Sequence, residues 1–204
     1  MTVTAAADST DRSDFRNVLI AGTKTGMIAA AGVVAFLVVA QVLPAGMPRQ
    51  GILTLVTMAA AVAVTFLPAR WVVARQTEGI AGAAAAGLWG TVVFMAIDIV
   101  LLRPVKAYPW TWDAIGGNSS WWYLPIWWML GTFLAWMGAI LTAGQAARGE
   151  PTLARLAGPV LVATVVVVTV ARFAGLIVTL PVEAGVAYTV VLAVAALLTL
   201  TRKS

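Results

Sequence analysis

Residues 80–102 read IAGAAAAGLWGTVVFMAIDIVLL, 23 residues in which Asp98 is the one ionisable side chain. At 1.5 Å per residue a helix over this stretch is about 34 Å long, enough to cross a hydrocarbon core of about 30 Å. Its apolar character is continuous, whereas a barrel strand alternates between lipid-facing and lumen-facing residues. A lipid-embedded segment must satisfy its own backbone hydrogen bonds, so the stretch predicts a transmembrane helix.

Five more runs of this kind lie on either side of it: about Gly26–Leu43, Gly51–Leu67, Leu124–Ala143, Leu156–Leu180 and Val182–Leu200. Pro44, Pro68, Pro104 and Pro181 follow four of the six runs, and proline breaks the helical hydrogen-bond ladder. Six helices of about 20 residues need about 120 residues, close to the hydrophobic 61% of the 204-residue chain. Charged residues make up only 10%, against about 25% in soluble domains. The fold expected is therefore an all-α integral membrane protein, a bundle of six transmembrane helices whose partner is the lipid bilayer. Residues 1–24 read as a polar N-terminal tail without fixed structure, with no apolar core of a signal peptide. Residues 25–204 read as one transmembrane domain with a Trp-rich outer loop at 103–123.

The basic residues orient the bundle. With the N-terminus in the cytoplasm, the inner segments hold Arg12, Arg16, Lys24, Arg70, Arg75, Arg148, Arg155, Arg202 and Lys203, and the outer segments hold Arg49, Arg103 and Lys106. Nine against three follows the positive-inside rule and places both termini in the cytoplasm of a bacterial-type inner membrane. The net charge of +5 is spread over these loops with no basic stripe, so it implies no nucleic-acid partner.

What is missing excludes chemistry. The chain has no Cys and no His, which removes disulfides, thiolate and imidazole metal ligands and the commonest general base. There is no glycine-rich phosphate loop or nucleophile elbow. No cofactor, no metal site and no catalytic residue is expected, and the reading is of a protein that is not an enzyme.

Small residues recur at four-residue spacing: Gly22, Gly26 and Ala30; Gly79, Ala83 and Gly87; Gly131, Ala135 and Ala139. Such rows let helix backbones approach closely in lipid. Within the bundle they make the third helix a central one, and on an outer face they would serve a homo-oligomer or a partner membrane protein. Tryptophan concentrates elsewhere, with Trp110, Trp112, Trp121, Trp122, Trp127 and Trp128 falling within nineteen residues. Indole rings settle at the headgroup level, so the segment is either an aromatic belt or a cup over a pocket for a flat, apolar or cationic solute.

The ionisable residues on the outer side complete the candidate site. They are Asp98 and Arg172 within spans, with Asp113 and Glu183 in the outer segments. A charge in the membrane is costly unless paired. With the fifth helix running to Leu180, Arg172 lies about 12 Å below its end, and Asp98 is the opposite charge expected to meet it. Two functions follow. One is a small-solute transporter, or the solute-binding membrane subunit of one, with an outer-half pocket under the aromatic loop formed by Asp98, Arg172, Asp113, Glu183, Trp110, Trp112, Trp121 and Trp122. The other is a non-catalytic structural or accessory subunit of a membrane complex. The small-molecule ligand is not identified by the sequence.

Overall fold

The computed structural model describes residues 12–102, 104, 123–176 and 178–202. They form six helices: α1 (Phe15–Val42), α2 (Met47–Trp71), α3 (Thr77–Ile97), α4 (Tyr123–Ala146), α5 (Leu153–Phe173) and α6 (Leu180–Thr201). A wider π-helical turn, Asp98–Leu102, extends α3. No strand occurs among the described residues. All six helices are long and apolar enough to cross a membrane. The chain is thus a multi-pass helical membrane protein in contact with the bilayer.

Several helix ends differ from those expected. Helix α1 starts at Phe15, ahead of its apolar run, because Asp14 caps it. The Asp14 carboxylate accepts the Asn17 backbone N–H at 3.3 Å, satisfying one of the donors left open at a helix start. Pro68 does not stop α2, which continues to Trp71. The actual stop is a Schellman turn, in which Val73 N–H reaches the Arg70 carbonyl and Ala74 N–H reaches that of Ala69 at 2.8 Å. Val73 adopts φ 57° there, a left-handed conformation that strains a β-branched residue.

The fifth helix shows the largest difference. It ends at Phe173, not at Leu180. Gly175, at φ 85°, donates to the Arg172 carbonyl at 3.1 Å, and Leu176 donates to that of Ala171 at 3.1 Å. This is again the Schellman arrangement, with glycine at the left-handed position that it tolerates best. Pro181 lies in the first turn of α6, where a missing N–H costs nothing.

The first four helices share glycine-lined contacts. Helix α3 lies between α1 and α4, with smaller contacts to α2. A Cβ on Gly22 would meet the Ala86 carbonyl and Trp89, and one on Gly90 would meet the Gly22 carbonyl and Thr25. On the neighbouring face of α3, a Cβ on Gly87 would meet Ala135 and the Gly131 carbonyl, and one on Gly131 would run into Thr91. Trp89 Nε1 ties α3 to α1 by donating to Thr23 Oγ1 at 3.0 Å. Gly79 and Ala83 are also buried on α3.

A hydrophobic core around Phe66, Leu134, Met137, Ile140, Val160, Tyr188 and Leu192 joins α2, α4, α5 and α6. Helix α5 sits at the edge. It rests mainly on α6, touches α2 and α4 little, and leaves Val162, Val165, Val166, Val170 and Phe173 exposed for lipid. Several threonines within the spans hide their hydroxyls by donating to the carbonyl four residues back. Thr25 does so to Ala21 at 2.8 Å, Thr142 to Gly138 at 2.8 Å and Thr164 to Val160 at 2.7 Å, which keeps them satisfied without water.

Candidate functional site

The bundle has two ends. The near end carries the starts of α1, α3 and α5 and the ends of α2, α4 and α6. The far end carries the α5–α6 turn and the π-helical turn of α3.

At the far end, Arg172 Nε donates to Glu183 Oε2 at 2.9 Å, and its Nη2 donates to the Val178 carbonyl at 3.2 Å. Both charges lie where helix dipoles favour them, Arg172 in the last turn of α5 and Glu183 in the first turn of α6. Their burial is unequal: the Arg172 side chain is 36% exposed and that of Glu183 only 8%. Glu183 Oε1 is buried without a hydrogen-bond partner. A buried carboxylate oxygen of this kind is an acceptor that attracts an N–H, an O–H or a cation.

Gln50, in the first turn of α2, joins this corner. Its Oε1 accepts the Leu180 backbone N–H at 3.3 Å, capping α6 where Thr179 provides no side-chain cap. The turn is thereby pinned to α2 as well as to α5.

Asp98 also lies toward the far end, 3% exposed, at the start of the π-helical turn. Turns of this type recur at functional positions. The expected Asp98–Arg172 pair does not form. Arg172 is engaged by Glu183, and α3 takes its main contacts from α1 and α4 while α5 rests on α6. The reason is the early end of α5, which brings Arg172 from the bundle depth to the turn. Trp110, Trp112, Asp113, Trp121 and Trp122 lie outside the described residues. Trp127 and Trp128, in α4, are part-exposed, and Trp127 meets Phe94 of α3 edge to face at a centroid distance of 6.5 Å.

Sequence reasoning named Arg172 and Glu183 but not their partnership, and it missed Gln50. It also read the near-end arginines only as orientation signals. At that end Arg75 pairs with Glu150 at 3.2 Å, and Lys24 stands 5.5 Å over the Trp71 ring, a cation–π contact. A cavity of about 420 Å³ opens there between α4, α5 and α6. A broader groove of about 620 Å³, lined by Leu88, Ile126, Trp128, Met129, Phe133 and Trp136, runs along α3 and α4. Among the described residues no cluster of potential metal ligands occurs.

No protein-family model, curated protein or solved structure matches the chain.

Proposed function

We propose that the chain is a solute-binding membrane protein, a small-solute transporter or the membrane subunit of one, whose binding point is the Glu183 carboxylate at the far end. The observation that carries this reading is the half-satisfied acid. Glu183 is nearly enclosed, one oxygen is held by Arg172 and the other has no partner. Charged groups within a membrane domain mark binding or transport positions by default, and this one lies at a turn clamped from two helices. A solute offering an N–H group or a positive charge would complete it. In the proposed orientation both termini face the cytoplasm of a bacterial-type membrane and the site faces outward, at the end from which residues 103–122 depart.

The accessory-subunit reading rests on small-residue faces free to dock a partner. Gly22, Gly26, Gly87 and Gly131 are instead covered by contacts within the chain, which favours the solute reading. Native mass spectrometry of the protein purified in mild detergent tests it. The expected result is a small-molecule adduct on the wild type that Glu183→Gln loses while remaining folded. A wild type free of small molecules but bound to a protein in fixed stoichiometry would replace it with the accessory reading.

A further inference from the structure

We infer that the near-end cleft between α4, α5 and α6 is a binding site for one anionic phospholipid. The cleft is amphipathic along its depth. Arg148, Arg155 and Arg202 line its mouth, and Leu141, Leu156 and Val160 are among the apolar residues that line it further in. Val160 is seven residues into α5 from Leu153, so the apolar lining reaches about 10 Å along the helix. The volume of about 420 Å³ lies within the range of ligand pockets. The cleft lies where α5 rests mainly on α6 and makes few contacts with α4.

Among the described residues the acids do not balance the charge at the mouth. Glu150 also lines the cleft, but its carboxylate is held by Arg75. Among the described residues Arg148, Arg155 and Arg202 have no acidic partner. Arg155 sits in the first turn of α5, where the helix dipole is positive and a basic residue is unfavourable. Three guanidinium groups converging with a helix N-terminus call for an anion, and Arg binds phosphate through paired donors. Gln145 adds a buried Oε1 without a partner in the same cleft, an acceptor for a headgroup hydroxyl. The apolar lining selects a lipid over free phosphate. Basic pockets between transmembrane helices on the cytoplasmic side hold anionic headgroups in this way.

The full chain in detergent, titrated with phosphatidylglycerol, phosphatidylcholine or inorganic phosphate and read by native mass spectrometry, tests the inference. We expect one tightly retained phosphatidylglycerol, with phosphatidylcholine at least about tenfold weaker and inorganic phosphate unable to displace the lipid. Each guanidinium offers charge-assisted hydrogen bonds to the headgroup, so Arg148→Gln, Arg155→Gln and Arg202→Gln together should cut retention by about tenfold or more. The matched control Arg12→Gln, Arg16→Gln and Arg70→Gln removes equal charge from the same end and should leave retention unchanged. Should the first triple variant fail to fold, phosphatidylglycerol with a photoreactive acyl chain maps the site on the wild type, with labelling expected within residues 141–160 and 195–202. Equal retention of the two lipids, equal loss in both triple variants, displacement by phosphate or labelling spread over all helices would overturn it.

Discussion

Arg172 and Glu183, eleven residues apart in sequence, close the α5–α6 turn with a 2.9 Å ion pair in which the acid is far more buried than the base. The unequal burial makes the two positions respond differently to substitution.

Arg172→Met strips a buried carboxylate of its partner. Leaving a buried group unsatisfied costs about 1–3 kcal/mol, and the solvent access of the guanidinium keeps the loss toward the lower figure. Glu183→Gln removes the charge that needed a partner, so adding it to Arg172→Met should recover most of the loss. Thermal unfolding in detergent measures this. A double-mutant cycle between Asp98 and Arg172 should show coupling within about 0.5 kcal/mol of zero, as for sites without shared partners.

Val73 and Gly175 occupy the same left-handed position in two Schellman turns, one with a β-branched residue and one with glycine. The left-handed conformation costs an L-residue about 1–2 kcal/mol. Val73→Gly is therefore expected to stabilise the protein by about 0.5–1 kcal/mol. Gly175→Val should destabilise it by a similar or larger amount, although nothing lies within 4 Å of the added Cβ. Opposite shifts in unfolding temperature for the two exchanges are the result to look for.

Glycines in the spans divide by their surroundings. Gly26→Ala drives a methyl group into the Gly90 carbonyl and Val93, and Gly131→Ala drives one into Thr91. Overpacking of this kind costs about 1–3 kcal/mol. Gly185→Ala and Gly158→Ala enter open space in helix interiors, where alanine is favoured by up to about 1 kcal/mol, and should be neutral or stabilising. Unfolding of all four variants under one set of conditions separates the two groups.

Reporter fusions test the arrangement of crossings. Fusions after Arg75, Arg148 and Arg202 should all report the compartment of the N-terminus, and fusions after Ala45 and Gly175 the other one. The excess of basic residues predicts that the first compartment is the cytoplasm. A fusion after Arg148 that reports the external side would break the six-crossing scheme.

The number and kind of helices were legible because each apolar run is unbroken over a bilayer thickness. Glycine spacing also pointed to α3 as the helix between others, since only residues without side chains allow two close neighbours. The helix ends were less legible. Pro181 follows an apolar run and looks like a stop, yet proline is equally at home in a helix's first turn. The true stop was Gly175, a common terminator, hidden within a run of apolar residues. That one misplaced end decided the error in pairing, because it put Arg172 about 12 Å deep when it lies one residue from the end of α5. The near-end cleft was hidden for another reason. Arginines that orient a chain and arginines that line a cleft have the same sequence pattern, and only the sparse contact between α4 and α5 distinguishes them.

The glycine contacts also divide along the sequence. All those that join α1, α2, α3 and α4 use residues before Ala146, and only Gly144 waits for a later partner, Thr199 on α6. A nascent chain that has just released α4 from the ribosome already holds both halves of nearly every glycine-lined crossing among the described residues. The last two helices, closed as a hairpin by Arg172 and Glu183, bring Tyr188 and Leu192 to Phe66, so the first four alone leave that face of α2 and α4 uncovered.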